Sequence, residues 1–223
     1  MSFNIAVDGP AGAGKSTIAK EAAKRLDFIY VDTGAMYRSL ALYFIRNGIS
    51  GEDEAAVKAV LPEISVSLAY ENGTQHVLLN GENVSELIRT EEVSRMTSKT
   101  SAFGCVREKL LDLQRDMAAS NDVLMDGRDI GTNVLPNAQL KIYLTASSEV
   151  RAKRRWLEQS QKGIECSLED IEKDINERDE RDKNRTIAPL KKAEDAVYLD
   201  TSEMSIEEVI EAITGLYKER AGR

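Results

Sequence analysis

The sequence predicts an α/β protein: a five-stranded parallel sheet flanked by helices, with a small antiparallel β insert. Three observations carry that expectation. Five short apolar runs, FNIAV (3–7), FIYV (28–31), VLM (123–125), LKIYL (140–144) and AVYLD (196–200), are separated by helical text. A parallel pair needs a crossover between its strands, so strand–helix alternation implies a mostly parallel sheet with helices on both faces. The first run also enters a glycine-rich turn, GPAGAGKS (9–16), that opens a helix. Finally, one region breaks the alternation. ISVSLAY (64–70), HVLL (76–79) and ENV (82–84) are separated by Asn72-Gly73 and Asn80-Gly81. Asn-Gly between apolar runs favours a tight hairpin, because both residues tolerate positive φ, so residues 62–86 read as a three-stranded meander.

The remaining elements follow in order. Lys15 to Leu26 is an amphipathic helix after the glycine turn, and a second helix runs from Met36 to Asn47, closed by Gly48. Helical text resumes over residues 90–119, where Val106, Leu110, Leu113 and Met117 form one apolar stripe. A charged helical region covers residues 147–185. The last helix starts at Ser205, which forms a capping box with Glu208, and buries Ile206, Val209, Ile210, Ile213, Leu216 and Tyr217. Right-handed crossovers place the ends of all parallel strands on one edge, so chemistry is expected at Asp8–Thr17, Asp32–Arg38, Asp126–Thr132, Thr145 and Asp200.

Composition narrows the function classes. The 223 residues suit one domain with inserts, read as a single domain over 1–223. Apolar residues make up 42% and charged residues 30%, as in ordinary globular chains. A net charge of −8 repels polyanions and argues against broad nucleic-acid binding; the basic run RAKRR (151–155) is better read as a solvated or phosphate-facing helix. Cys105 and Cys166 lack metal or redox spacing and suit a reducing compartment. The longest apolar run, Leu40 to Ile45, is too short to span a bilayer, and the glycine turn at Gly9 leaves no room for a leader. The expectation is a cytoplasmic protein. The single histidine, His76, sits in the meander as a surface strand residue.

GPAGAGKS has the spacing of a P-loop, whose glycines let backbone N–H groups converge on a phosphate chain. Gly9, Pro10, Ala11, Gly12, Ala13, Gly14, Lys15, Ser16 and Thr17 are therefore the candidate ATP-binding residues. Lys15 supplies a cation for the outer phosphates, and Ser16 a hydroxyl for Mg²⁺, partly through water. The motif alone leaves open whether the phosphoryl group goes to water, a protein or a small molecule. No NKxD guanine-reading motif and no LSGGQ motif occurs, which argues against a GTPase or an ABC-type ATPase.

Three further stretches sit on the same edge. YVDTGAMYRSL (30–40) offers Thr33, Gly34 and Arg38. VLMDGRDIGTNV (123–134) puts Asp126 where a carboxylate approaches the P-loop metal, with Arg128 and Asp129 beside it. INERDERDKNR (175–185) carries Arg178, Arg181 and Arg185 at offsets that place all three on one side of a helix, with Asp182 able to pair with Arg178. Stacked guanidiniums repel one another unless an anion joins them, and a phosphate chain in transfer is such an anion.

Taken together, GPAGAGKS, DTGAMYR, SAFGCVRE (101–108), DGRDIGT (126–132) and ERDERDKNR resemble, in order and over essentially the whole chain, the bacterial cytidylate kinases of the nucleoside monophosphate kinase class. The resemblance implies γ-phosphoryl transfer from ATP to CMP or dCMP with Mg²⁺. It implies an acceptor-side insert at 62–95 and a mobile lid at 151–185. Charge and hydropathy lead to the expectation of neither nucleic-acid nor membrane partner, and a monomer is expected because nothing in the sequence demands a dimer. The resemblance implies that Ser98, Arg107 and Asp129 read cytosine and that Arg38, Arg128 and Arg185 hold the acceptor phosphate. Thr33, Arg178 and Asp182 would lie near the sugar, and Tyr37, Asp126 and Gly127 would complete the CMP site. Lys15, Arg128, Arg178 and Arg185 would be catalytic. A kinase for another acceptor, such as UMP, is the alternative.

Overall fold

The computed structural model describes residues 2–71, 74–161 and 163–222. The chain runs β1 (Asn4–Asp8), α1 (Lys15–Leu26), β2 (Ile29–Asp32), α2 (Thr33–Arg46), α3 (Glu54–Val60), β3 (Val66–Glu71), β4 (Thr74–Leu79), β5 (Glu82–Asn83), α4 (Glu91–Thr100) and α5 (Gly104–Ser120). It continues with β6 (Val123–Gly127), β7 (Leu140–Thr145), α6 (Ser148–Gln161), α7 (Leu168–Asn184), β8 (Val197–Asp200) and α8 (Ile206–Ala221).

Five strands pair in the order β2-β6-β1-β7-β8, every pair parallel. Alternate residues of β1 face opposite ways: Ala6 joins the core beneath α2, α4 and α5, whereas Ile5 and Val7 join the core beneath α1 and α8. That two-sided burial is why the central strands are apolar runs rather than alternating patterns. The meander forms a separate antiparallel sheet, β3-β4-β5. Asn80 and Gly81 both take positive φ, 49° and 85°, as its second turn requires. The turn expected at Asn72-Gly73 lies outside the described residues. Val77, Leu79 and Val84 bind the meander to the α2-side core.

Side-chain caps explain where boundaries depart from expectation. α2 starts three residues before Met36 because the Asp32 carboxylate accepts from the Ala35 N–H at 2.9 Å. Asp53 caps α3, a helix the apolar pattern does not announce. The helical text of 90–119 is two helices, and Ser167 starts the second of two helices in the charged region. Of the expected stripe, Val106 and Leu110 are fully buried, while Leu113 and Met117 pack at its margin. The Ser205–Glu208 capping box is present. Among the described residues, no helix is long and apolar enough to cross a membrane.

Candidate active-site cleft

The C-terminal ends of the parallel strands open into a cleft of about 540 Å³. One wall is the turn between β1 and α1. Gly9 must be glycine, since a Cβ there would stand 1.9 Å from the Leu144 carbonyl oxygen. Gly12 and Gly14 take φ of 73° and 80°, curling the backbone toward the N-terminus of α1. Ala11 to Thr17 line the cleft, while Gly9 and Pro10 lie behind it. The buried Lys15 ammonium donates to the Pro10 carbonyl at 2.7 Å. Burial first, then the positive charge of Arg128, pushes its pKa well down.

Asp126, at the end of β6, faces this loop. Its carboxylate accepts from Ser16 Oγ and Tyr30 Oη, both at 2.9 Å. Burial, reinforced by repulsion from Asp32, raises its pKa to about 6. Asp8 has a supporting place that the motifs do not reveal. Its two oxygens accept from the Ile130 and Gly131 N–H groups, each at 2.7 Å, tying the segment after β6 to the end of β1. That segment closes as a single wide turn in which Leu135 N–H reaches the Ile130 carbonyl at 2.7 Å.

The expected acceptor residues are all brought together here: Thr33, Tyr37, Arg38, Ser98, Arg107, Asp126, Gly127, Arg128, Asp129, Arg178, Asp182 and Arg185 line the cleft. Arg38 pairs with Asp32 at 2.9 Å, and Arg128 Nε donates to Asp182 at 2.9 Å. Arg107 bridges to Asp129 and lies over the Tyr37 ring, 5.6 Å from its centroid. Asp129 also accepts from Arg185 and Asn133, each at 3.1 Å. Thr33 is buried, its hydroxyl donating to the Asp126 carbonyl at 2.8 Å. Several polar atoms of this set have no hydrogen-bond partner among the described residues: Arg38 Nε, Ser98 Oγ, Arg107 Nε and Arg178 Nε. Burial lowers the Arg178 pKa to about 10, and Arg128 adds to that shift. A wall with this many buried, incompletely satisfied donors is electrostatically prepared for an anion.

Two expectations on α7 are corrected. Arg181 is exposed and takes no part in the cleft, so the three arginines do not share one side. Around the helix, Arg181 lies about 60° to one side of Arg178, whereas the buried Asp179 and Asp182 lie to the other, so Arg181 falls on the solvent side. Arg185 lies beyond the helix as its extended C-cap, where Nε donates to the Ala188 carbonyl at 2.6 Å. Asp182 binds Arg128 and lies 3.8 Å from Arg185; it forms no ion pair with Arg178. His76 pairs loosely with Glu71 at 3.9 Å and is not part of the cleft, and both cysteines are free thiols.

Sequence reasoning missed the far end of the cleft. Arg154 and Arg155 on α6, with Thr201, Met204, Ile206 and Val209 around the start of α8, line it beyond the P-loop. Arg154 is anchored on Thr201, donating to its hydroxyl at 3.2 Å and its carbonyl at 2.7 Å. Beneath, Asp179 accepts from the Ala11 N–H at 3.0 Å while Arg151 donates to the Ala11 carbonyl at 2.8 Å and to Asp179 at 2.6 Å. The basic run RAKRR was the available signal, but its charge pattern did not distinguish Arg151, turned inward, from its neighbours.

The family model described as cytidylate kinase matches residues 5–219. A cytidylate kinase from Halalkalibacterium halodurans is 51% identical over 218 residues, 98% of each chain. One from Lactobacillus johnsonii is 49% identical over 98% of this chain and 95% of its own. A solved structure of an uncharacterized protein from Eubacterium ventriosum, 10% identical, aligns over 96% of this chain and 98% of that one with a TM-score of 0.51, a likeness of fold alone.

Proposed function

The chain belongs to the cytidylate kinase family, and from that premise we propose that its cleft holds two nucleotides face to face. The protein transfers the γ-phosphoryl group of ATP to CMP or dCMP, releasing ADP and CDP or dCDP. The carrying observation is the pairing, in one cleft, of a P-loop bearing Lys15 with a wall bearing Arg38, Arg128, Arg178 and Arg185. Transfer to another acceptor such as UMP is not favoured.

The acceptor phosphate is already anionic near pH 7 and needs no strong base, in keeping with a cleft without histidine. The reaction instead needs two mutually repelling phosphates aligned and their charge neutralised. Lys15 and Arg178 would act between them, with Arg128 and Arg185 on the acceptor side. Ser16 Oγ and the Asp126 carboxylate are hard oxygen donors 2.9 Å apart, a pair that fits Mg²⁺ beside nucleotide phosphates. When bound, the ion would neutralise charge on the outer phosphates of ATP. Arg154, Met204, Ile206 and Val209 would enclose the adenine end.

At the other end, Asp129 would accept from the exocyclic amine of cytosine, and Arg107 and Ser98 would donate to its ring acceptors. Uracil presents a carbonyl in place of that amine, so it would meet the carboxylate lone pair to lone pair. We propose that residues 62–95 act as the acceptor-side insert and 151–185 as a lid. Gln159 on α6 already donates to Glu91 at the start of α4 at 2.8 Å, a contact between these two segments that supports closure and exclusion of water. The free thiols and net charge of −8 support a reducing cytoplasm and a small-molecule substrate rather than nucleic acid.

A coupled ADP-release assay across CMP, dCMP, UMP and AMP tests the reading. CMP and dCMP should be the efficient acceptors. Equal kcat/KM for UMP, or ADP release that needs no acceptor, would contradict it.

A further inference from the structure

The meander is joined to the parallel sheet by side chains standing in for a strand. β2 is the outer strand of the sheet, so its outward backbone groups have no strand beside them. Tyr70 on β3 and Gln75 on β4 are directly opposite each other in the meander, and both turn toward that edge. Gln75 Oε1 accepts from the Asp32 N–H at 3.0 Å, and Gln75 Nε2 lies 3.4 Å from the Asp32 carbonyl as donor. The Tyr70 hydroxyl donates to the Tyr30 carbonyl at 3.1 Å and lies 3.4 Å from Gln75 Oε1. A primary amide offers an N–H donor beside a carbonyl acceptor, as the N–H and C=O of one residue on a neighbouring strand would.

Tyr70 thus holds Tyr30, two residues earlier on β2, while the backbone that Gln75 grips belongs to Asp32. Its side chain caps α2 through Ala35 N–H and pairs with Arg38 Nη2, each at 2.9 Å. The space around that pair is tight: a Cβ on Gly34 would lie 3.0 Å from Arg38 Nη1 and 3.1 Å from Asp32 Oδ1. A small shift of Asp32 would therefore move the Arg38 guanidinium, whose Nε is buried and unpartnered on the cleft wall. Gln75 and Tyr70 do not line the cleft.

We propose that Tyr70 and Gln75 are a positioning pair for the acceptor site: the meander holds Asp32 by its backbone, and Asp32 aims Arg38 at the acceptor phosphate. The proposal rests on the reading of Arg38 as an acceptor-phosphate ligand. It gives the meander a defined task in catalysis without contact with substrate.

The test is steady-state kinetics on the full chain with Gln75→Met, which keeps length and removes the amide, Tyr70→Phe and Arg38→Ala, together with the Gln75→Met/Arg38→Ala double variant. Gln75→Met should raise KM for CMP by roughly five- to tenfold, as expected for the loss of about one hydrogen bond. KM for ATP should stay within about twofold. Tyr70→Phe should act in the same direction, more weakly. In the Arg38→Ala background, Gln75→Met should add little, because the two act through one group. A lowered Tm with unchanged KM for CMP would reduce the pair to an adhesive between sheets and overturn the proposal, as would a full additional effect in the double variant. If Arg38→Ala itself leaves KM for CMP unchanged, the acceptor reading fails first and the proposal with it.

Discussion

At the scale of single residues, charge and hydrogen-bond capacity decide the chemistry. Asp129 is engaged by Arg107, Arg185 and Asn133, so as the proposed cytosine reader it is an oriented carboxylate rather than a mobile one. Asp129→Ala should lower kcat/KM for CMP and narrow the ratio of CMP to UMP; an unchanged ratio would remove Asp129 from base selection. Asp126 gives a prediction in pH. Its pKa rises from 3.8 to about 6 on folding, so the folded protein retains a proton that the unfolded chain has released. The stability linked to that proton is present below 3.8 and lost as pH rises through 6. Asp126→Asn should therefore gain stability relative to wild type between pH 4 and 7, by at most about 3 kcal/mol for two pKa units, while losing activity. Parallel melting curves across that range would refute this. Residues in compact motifs were legible from sequence, because DGRDIGT places Asp126, Arg128 and Asp129 together whatever the surroundings. Arg181 was not, because a charge repeat on α7 does not by itself say where the cleft cuts across the helix.

At the scale of elements, caps and clamps set geometry that apolar periodicity leaves undefined. Asp32, Asp53 and Ser167 each begin a helix with a side-chain hydrogen bond, and the helix starts missed or misplaced by pattern are recovered by these polar residues. The two helices α6 and α7 meet the P-loop through the buried pair Arg151–Asp179, which satisfies both backbone groups of Ala11. Asp179→Ala would leave a buried guanidinium uncompensated and the Ala11 N–H unpaired. A loss of about 3–5 kcal/mol in chemical denaturation is expected, with KM for ATP raised more than KM for CMP. A variant as stable as wild type would show that the clamp is dispensable. The pairing was not readable from sequence: Arg151 and Asp179 are 28 positions apart, and nothing local distinguishes them from charged neighbours that remain in solvent.

For the whole molecule, the parallel sheet brings three distant loops to one edge, and it is there that the P-loop and the arginine-lined wall meet. Strand number, parallel pairing and the functional edge were legible because they follow from alternation and crossover handedness. The strand order β2-β6-β1-β7-β8, the docking of the meander on β2 and the far end of the cleft beside Arg154 and Met204 were not, since each depends on which surfaces meet after the chain has folded. The central claim is that two nucleotides occupy this cleft at once, phosphate to phosphate. Its most direct test is calorimetric titration with a bisubstrate ligand in which adenosine and cytidine are joined through a shared 5′-polyphosphate bridge. It should bind at least about 100-fold more tightly than ATP or CMP alone, and Arg178→Ala should remove most of that advantage. A bisubstrate ligand that binds no better than ATP, or as well with uridine in place of cytidine, would contradict the account.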